Sequence, residues 1–121
     1  MRLLLIDDAE AIREIIKAML SRHEADVQIE EAEDGQEAWC LYQEHGPFDV
    51  VMTDIGHPAP DGIELAKLIR KKNPHQAIVV MSTDPEVGRM LWRTLRIPFV
   101  FKPFEYWQLE GAIALAKGSA G

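Results

Sequence analysis

Cysteine is nearly absent: the 121 residues contain one, Cys40. A lone thiol excludes an internal disulfide and a thiolate zinc site, and it fits a reducing compartment. Basic residues are scarce too, with 13 Lys and Arg against 20 Asp and Glu, for a formal net charge of -7. Nucleic-acid phosphates and anionic membrane surfaces are bound through clustered Lys and Arg, so this balance argues against both as direct partners. Long apolar runs are missing. The amino-terminal MRLLLIDD has four apolar residues before two acids, too short for a signal peptide or a membrane span, and no other stretch approaches spanning length. These absences point to a cytoplasmic protein. Linkers and internal repeats are also lacking. Only KGSAG at the carboxyl end reads as loose chain, which divides the sequence into one domain over residues 1–117 and a short tail or linker start at 118–121.

What is present is enough for one core: 47% of residues are hydrophobic, too many for a disordered chain, and the length suits a single domain without metal or disulfide staples. Short apolar runs occur at Leu3–Ile6, Val27–Ala32, Val50–Thr53, Ala77–Met81 and Ile97–Phe101. Several are rich in Val, Ile and Leu, as strands covered on both faces should be. Each is followed by a helical stripe: Ile12, Ile15, Ile16, Met19 and Leu20; then Ala38, Leu41 and Tyr42; then Ile63, Ala66, Leu68 and Ile69. Val87, Met90, Leu91 and Leu95 form the fourth, and Leu109, Ala112, Ile113 and Ala116 the fifth. Breakers separate them: Gly46-Pro47, the Gly56–Gly62 loop, Asn73-Pro74, Asp84-Pro85 and Pro103. Five strand-then-helix units with right-handed crossovers predict a doubly wound (βα)5 fold, a flavodoxin-like three-layer sandwich around a five-stranded parallel sheet.

Such sheets bind ligands outside the carboxyl ends of their strands. At those ends stand Asp7 and Asp8, Asp54, Ser82 and Thr83, and Lys102 with Pro103. Carboxylates gathered together repel unless a cation shares the space. Lys102 supplies one charge. A hard divalent ion supplies another, and Mg²⁺ takes one or two carboxylates together with waters and phosphate oxygens. The set therefore suits phosphoryl chemistry, with Asp54, at the tip of the central run, best placed as nucleophile. Each residue also has a plainer reading. Asp8 alone reads as a helix N-cap, Ser82 as a loop hydroxyl, Lys102 as an exposed strand-end charge and Phe99 as a core aromatic. Four such coincidences on one edge are improbable.

LLLIDD, EEAEDGQEAW, DVVMTDIGHPAPDGIEL, VVMS and FVFKPF, in this order and spacing, resemble the response regulator receiver domains of two-component signalling, the CheY-like superfamily, over essentially the whole chain. The resemblance implies that Asp54 accepts a phosphoryl group from a histidine kinase or a phosphotransfer protein. It implies Mg²⁺ on Asp8, Asp54 and the backbone carbonyl of Gly56, with Asp7 in support. Lys102 and Ser82 would contact the phosphoryl oxygens, Phe99 would be the switch aromatic, and the Lys102-Pro103 bond would be cis. The output would be a changed surface read by a downstream protein or a fused output domain, or by a second copy through the fourth and fifth helices.

The chain departs from the family pattern at four points. His57 and Pro60 stand where Met is common, Thr83 replaces a small residue, and the stretch from Ser82 to Lys102 is short, so the fourth helix is expected to be short or displaced. That helix still offers Arg89, Trp92, Arg93 and Arg96, residue types enriched at interface hot spots, and Trp107 adds a second candidate anchor. Gly56 and Asp84 flank the expected route of a hydrolytic water. Two other functions stay open: a receiver-like module that is never phosphorylated and serves binding or dimerisation, and a hydrolase working through an aspartyl phosphate. The hydrolase reading ranks low, since haloacid dehalogenase-like enzymes carry Asp-x-Asp on the first strand and the residue two past Asp54 is Gly56.

Overall fold

The five apolar runs pair into one parallel sheet in the computed structural model, which describes residues 1–56 and 60–120. His57 and Pro58 lie outside the described residues. The strands are β1 (Arg2–Ile6), β2 (Gln28–Ala32), β3 (Val50–Asp54), β4 (Ile78–Ser82) and β5 (Phe99–Phe101). They alternate with α1 (Glu10–His23), α2 (Gly35–His45), α3 (Gly62–Lys72), α4 (Pro85–Leu95) and α5 (Tyr106–Ala120). The spatial order is β2-β1-β3-β4-β5, every pair parallel, which is the doubly wound arrangement expected from the alternating periodicities. No helix among the described residues is long and apolar enough to cross a membrane.

Successive side chains of a strand point to opposite faces, so each buried strand feeds two cores. Leu3, Leu5, Val50, Met52, Val79 and Met81 pack under α1 and α5, against Ile16, Leu20, Leu109 and Ile113. Leu4, Ile6, Val51, Ile78 and Val80 pack under α2, α3 and α4, against Ala38, Tyr42, Leu65, Ile69 and Leu91. The helical stripes are wider than the faces they bury: Ile15, Leu68 and Met90 belong to the pattern yet are exposed.

Local chemistry starts and stops the helices. Asp34 caps α2 by accepting from the Glu37 N–H, and Asp61 and Glu64 form a reciprocal capping box at α3. At α4 the Asp84 carboxylate accepts from the Glu86 N–H and Pro85 occupies the first turn. This helix corrects an expectation. It is not short; its 11 residues equal those of α2 and α3. Arg96, in the left-handed conformation (φ 54°, ψ 36°), ends it while its N–H bonds Leu91 and Trp92 carbonyls. The connection to β5 is residues 96–98, and β5 has three residues rather than the five of the apolar run. At the carboxyl end, α5 continues to Ala120, so residues 118–120, loose chain by composition, are helical.

Candidate functional site

Strand order reverses between β1 and β3, and a crevice at the carboxyl ends follows from that reversal. Asp7 and Asp8 follow β1 on one side of it. Asp54 ends β3 on the other, paired in register with Met81 of β4. Ser82 ends β4, and its carbonyl accepts from the Lys102 N–H, so the lysine is drawn to the same edge. The α3 helix begins directly behind the acid. A Cβ on Gly62 would lie 2.2 Å from the Asp54 carbonyl oxygen, so glycine is what lets the helix start this close.

The charges meet at this edge. The Lys102 ammonium lies 3.1 Å from Asp7 Oδ2 and 3.4 Å from Asp54 Oδ2. Asp7 is 1% exposed, and its other oxygen accepts from the Ala9 N–H at 2.9 Å. Asp54 Oδ1 accepts from the Gly56 N–H at 2.8 Å. Asp8 is exposed and completes a triad, since Asp7, Asp8 and Asp54 each offer an oxygen and these oxygens lie within 4.8 Å of one another. The N-cap reading of Asp8 fails: the residue capping α1 is Ala9, with no side-chain hydrogen bond. Three hard oxygen donors fit a small divalent cation such as Mg²⁺, and the ammonium competes with it for the same oxygens.

Ser82 is 5% exposed and points its hydroxyl at the following loop, donating to the Asp84 carbonyl and accepting from the Asp84 N–H, each at 2.9 Å. With Asp54, Gly56, Thr83 and Lys102 it lines a cleft of about 370 Å³. Thr83 is exposed at the mouth, on the path to Asp54. The Asp84 carboxylate, which flanks the same cleft, is engaged as the cap of α4. Phe99 is half-buried and lines the groove between α4 and α5, not the cleft of the carboxylates. The Lys102-Pro103 peptide is cis.

Two features escape a reading by strand ends. Arg13, on the first turn of α1, donates to the Asp7 carbonyl at 2.6 Å and pairs with Glu31 at 3.0 Å, tying the acidic loop to β2. Lys17 joins at 2.8 Å and holds the Glu31 carboxyl below its ordinary range, against the opposing effect of partial burial and with Arg13 adding to it. The signal was a basic residue six positions past Asp7. An apolar groove of about 380 Å³ also opens beside Lys102, between Ile12, Ile15 and Met19 of α1 and Pro103 and Phe104.

Residues 3–114 match the family model of the response regulator receiver domain. A chemotaxis protein CheY homolog of Campylobacter jejuni is 35% identical over 89 residues, 74% of this chain and 68% of the relative. CheY of Listeria monocytogenes is 33% identical over 107 residues, 87% and 88% of the two chains. Among solved structures, a response regulator receiver domain protein from Clostridium thermocellum superposes with a TM-score of 0.84 at 25% identity, over 98% of this chain and 94% of that one. Together with the parallel sheet, the acidic crevice and its lysine, these likenesses show that the chain belongs to the response regulator receiver domains, the CheY-like signalling domains of two-component systems.

Proposed function

We propose that this receiver is a phosphorylation-controlled switch in which Asp54 accepts a phosphoryl group from a histidine kinase or a phosphotransfer protein. The observation that carries the reading is the Lys102 ammonium bridging Asp7 and Asp54 at 3.1 and 3.4 Å beside a third carboxylate, Asp8. One oxygen of Asp54 attacks phosphorus in line with the donor nitrogen. The new O–P bond forms as the N–P bond breaks, and the leaving imidazole keeps the electron pair. Asp7, Asp8, Asp54 and the Gly56 carbonyl are the groups to hold Mg²⁺, which when bound neutralises phosphoryl oxygens. Lys102 neutralises charge on the same group.

The product adds about one negative charge and three acceptor oxygens next to Ser82. Ser82 donates to them only by giving up the bond it donates to the Asp84 carbonyl, so phosphorylation favours a second arrangement of the β4-α4 connection. The shift equals the difference in the phosphoryl group's affinity for the two arrangements, about 1–3 kcal/mol for typical couplings. A macromolecular donor has the apolar groove beside Lys102 to dock on. The output surface is the face of α4 and α5, with Arg89, Trp92 and Arg93, available to a downstream protein or to a second copy. The acidic charge and the lone cysteine support a cytoplasmic setting without direct nucleic-acid contact.

Intact mass after incubation with Mg²⁺ and acetyl phosphate tests this, beside Asp54→Ala. One added phosphoryl group, absent in the variant, is the expected result. No adduct would favour a module that works unphosphorylated, and continuous hydrolysis of phosphate esters would favour an enzyme.

A further inference from the structure

The α4 helix carries a glycine, Gly88, in its interior, where glycine is the poorest helix former after proline. Backbone freedom is not the reason, since no glycine among the described residues has positive φ. Space is the reason. A Cβ at this position would lie 2.4 Å from both Cγ and Cδ2 of Phe99 and 2.7 Å from Cδ1, so the ring rests directly on the helix backbone. Cγ is the root of the ring. No swing about the ring axis clears it, so a larger residue at 88 requires the ring or the helix to move. The same ring faces the groove between α4 and α5, with Trp92, Ala112 and Leu115 around it.

Gly88 is also tied to the crevice by hydrogen bonds. Its N–H donates to the Asp84 carbonyl at 3.3 Å. That carbonyl is the one to which the Ser82 hydroxyl donates, and the Asp84 N–H returns a bond to the same hydroxyl. A continuous path thus runs from Ser82 through the first turn of α4 to the seat of the aromatic ring.

We propose that Gly88 is a positioning residue: it is the seat that holds the Phe99 ring in its observed rotamer, and it couples that rotamer to the hydrogen bonds of Ser82. The coupling rests on Ser82 turning toward a phosphoryl group on Asp54; the seat does not. When the hydroxyl turns away from the Asp84 carbonyl, the cap of α4 loses that bond, and the seat shifts under the ring. The groove between α4 and α5 then changes shape at its Phe99 wall.

A melting cycle tests the seat without phosphorylation. Gly88→Ala is expected to lower Tm in the wild-type background and to raise it in the Phe99→Ala background, where the added methyl meets no ring and the better helix former prevails. Equal effects in the two backgrounds would refute the seat, and the double variant keeps the cycle readable should Gly88→Ala alone fail to fold. NMR of the whole chain tests the coupling. In the wild type, acetyl phosphate with Mg²⁺ should move the Asp84 and Gly88 amides and the Phe99 ring resonances together. In Gly88→Ala the ring resonances should be displaced beforehand and stay put on phosphorylation, while intact mass still shows the adduct. A Phe99 ring that responds equally in both proteins would overturn the coupling. Absence of any adduct on the wild type would overturn it together with the reading of Asp54, leaving the seat to the melting cycle.

Discussion

Replacing Lys102 by methionine, of similar length and without charge, should change metal affinity and metal-free stability in opposite directions. The ammonium stands 3.1 Å from Asp7 Oδ2 and 3.4 Å from Asp54 Oδ2, and Asp7 is buried. Without it and without metal, the three carboxylates face one another with no ammonium between them. Stripping a buried charge of its partner costs about 3–5 kcal/mol. Lys102 keeps 20% of its side chain exposed and Asp54 keeps 16%, so solvent screening reduces the expected loss to roughly 1–3 kcal/mol. Metal affinity goes the other way. A divalent ion held by the same oxygens is repelled by the ammonium, and a double and a single positive charge a few ångströms apart repel by roughly 2–7 kcal/mol across effective dielectrics of about 80 to 20. The low end, right for a part-exposed site, corresponds to about a tenfold gain in Mg²⁺ affinity or more once lysine is gone. Urea denaturation in EDTA and in Mg²⁺, with calorimetric Mg²⁺ titration, reads both effects. A variant that binds Mg²⁺ no tighter than the wild type, or that is as stable in EDTA, would show that Lys102 is not the counter-ion of this triad.

Three further perturbations test other parts of the molecule. The buried Gln76 side chain accepts from the Tyr42 hydroxyl and the Phe48 N–H and donates to the Phe48 and Ala77 carbonyls. Gln76→Leu strands both peptide groups of Phe48, and a loss of roughly 2–4 kcal/mol is expected in a urea melt. The two tyrosines should resist ionisation in the folded state. Burial raises Tyr42, and burial with a hydrogen bond to Glu24 pushes Tyr106 up to about 12. Because the folded values are raised, their contribution to stability is complete below the unfolded value of about 10 and is lost as pH rises toward the folded value. Tyrosinate absorbance should therefore be low just above that pH and jump on adding denaturant. Finally, Gly111 lies in α5 where an added Cβ meets nothing within 4 Å. Gly111→Ala should stabilise the domain by up to about 1 kcal/mol in thermal melts, the opposite sign to the same change at Gly88 in the wild-type background.

The strand-helix order was legible because periodicity survives in a single sequence: continuous Val, Ile and Leu runs for buried strands, stripes for helices. Its errors are instructive. The run from Ile97 read as five strand residues, yet β5 begins at Phe99. Ile97 is buried as core, and both it and Pro98 serve the connection from the left-handed Arg96. Ile15 and Leu68 fit their stripes but face solvent, because periodicity marks a face and packing decides its width.

The sequence by itself determined which side chains stand at the strand tips, since a parallel α/β sheet brings the residues after each strand to one edge. Asp7, Asp8, Asp54, Ser82 and Lys102 were assembled by that rule alone. What only the tertiary structure decided is how neighbours from distant parts of the chain occupy one another's space. That Ser82 is bonded to Asp84, that Arg13 holds the Asp7 carbonyl, that Gln76 fills the gap behind Phe48, and that Phe99 rests on Gly88 are contacts with no period and no motif. They arise from close packing, in which a glycine can matter for the atom it lacks, and that absence has no meaning until the neighbouring ring is in view.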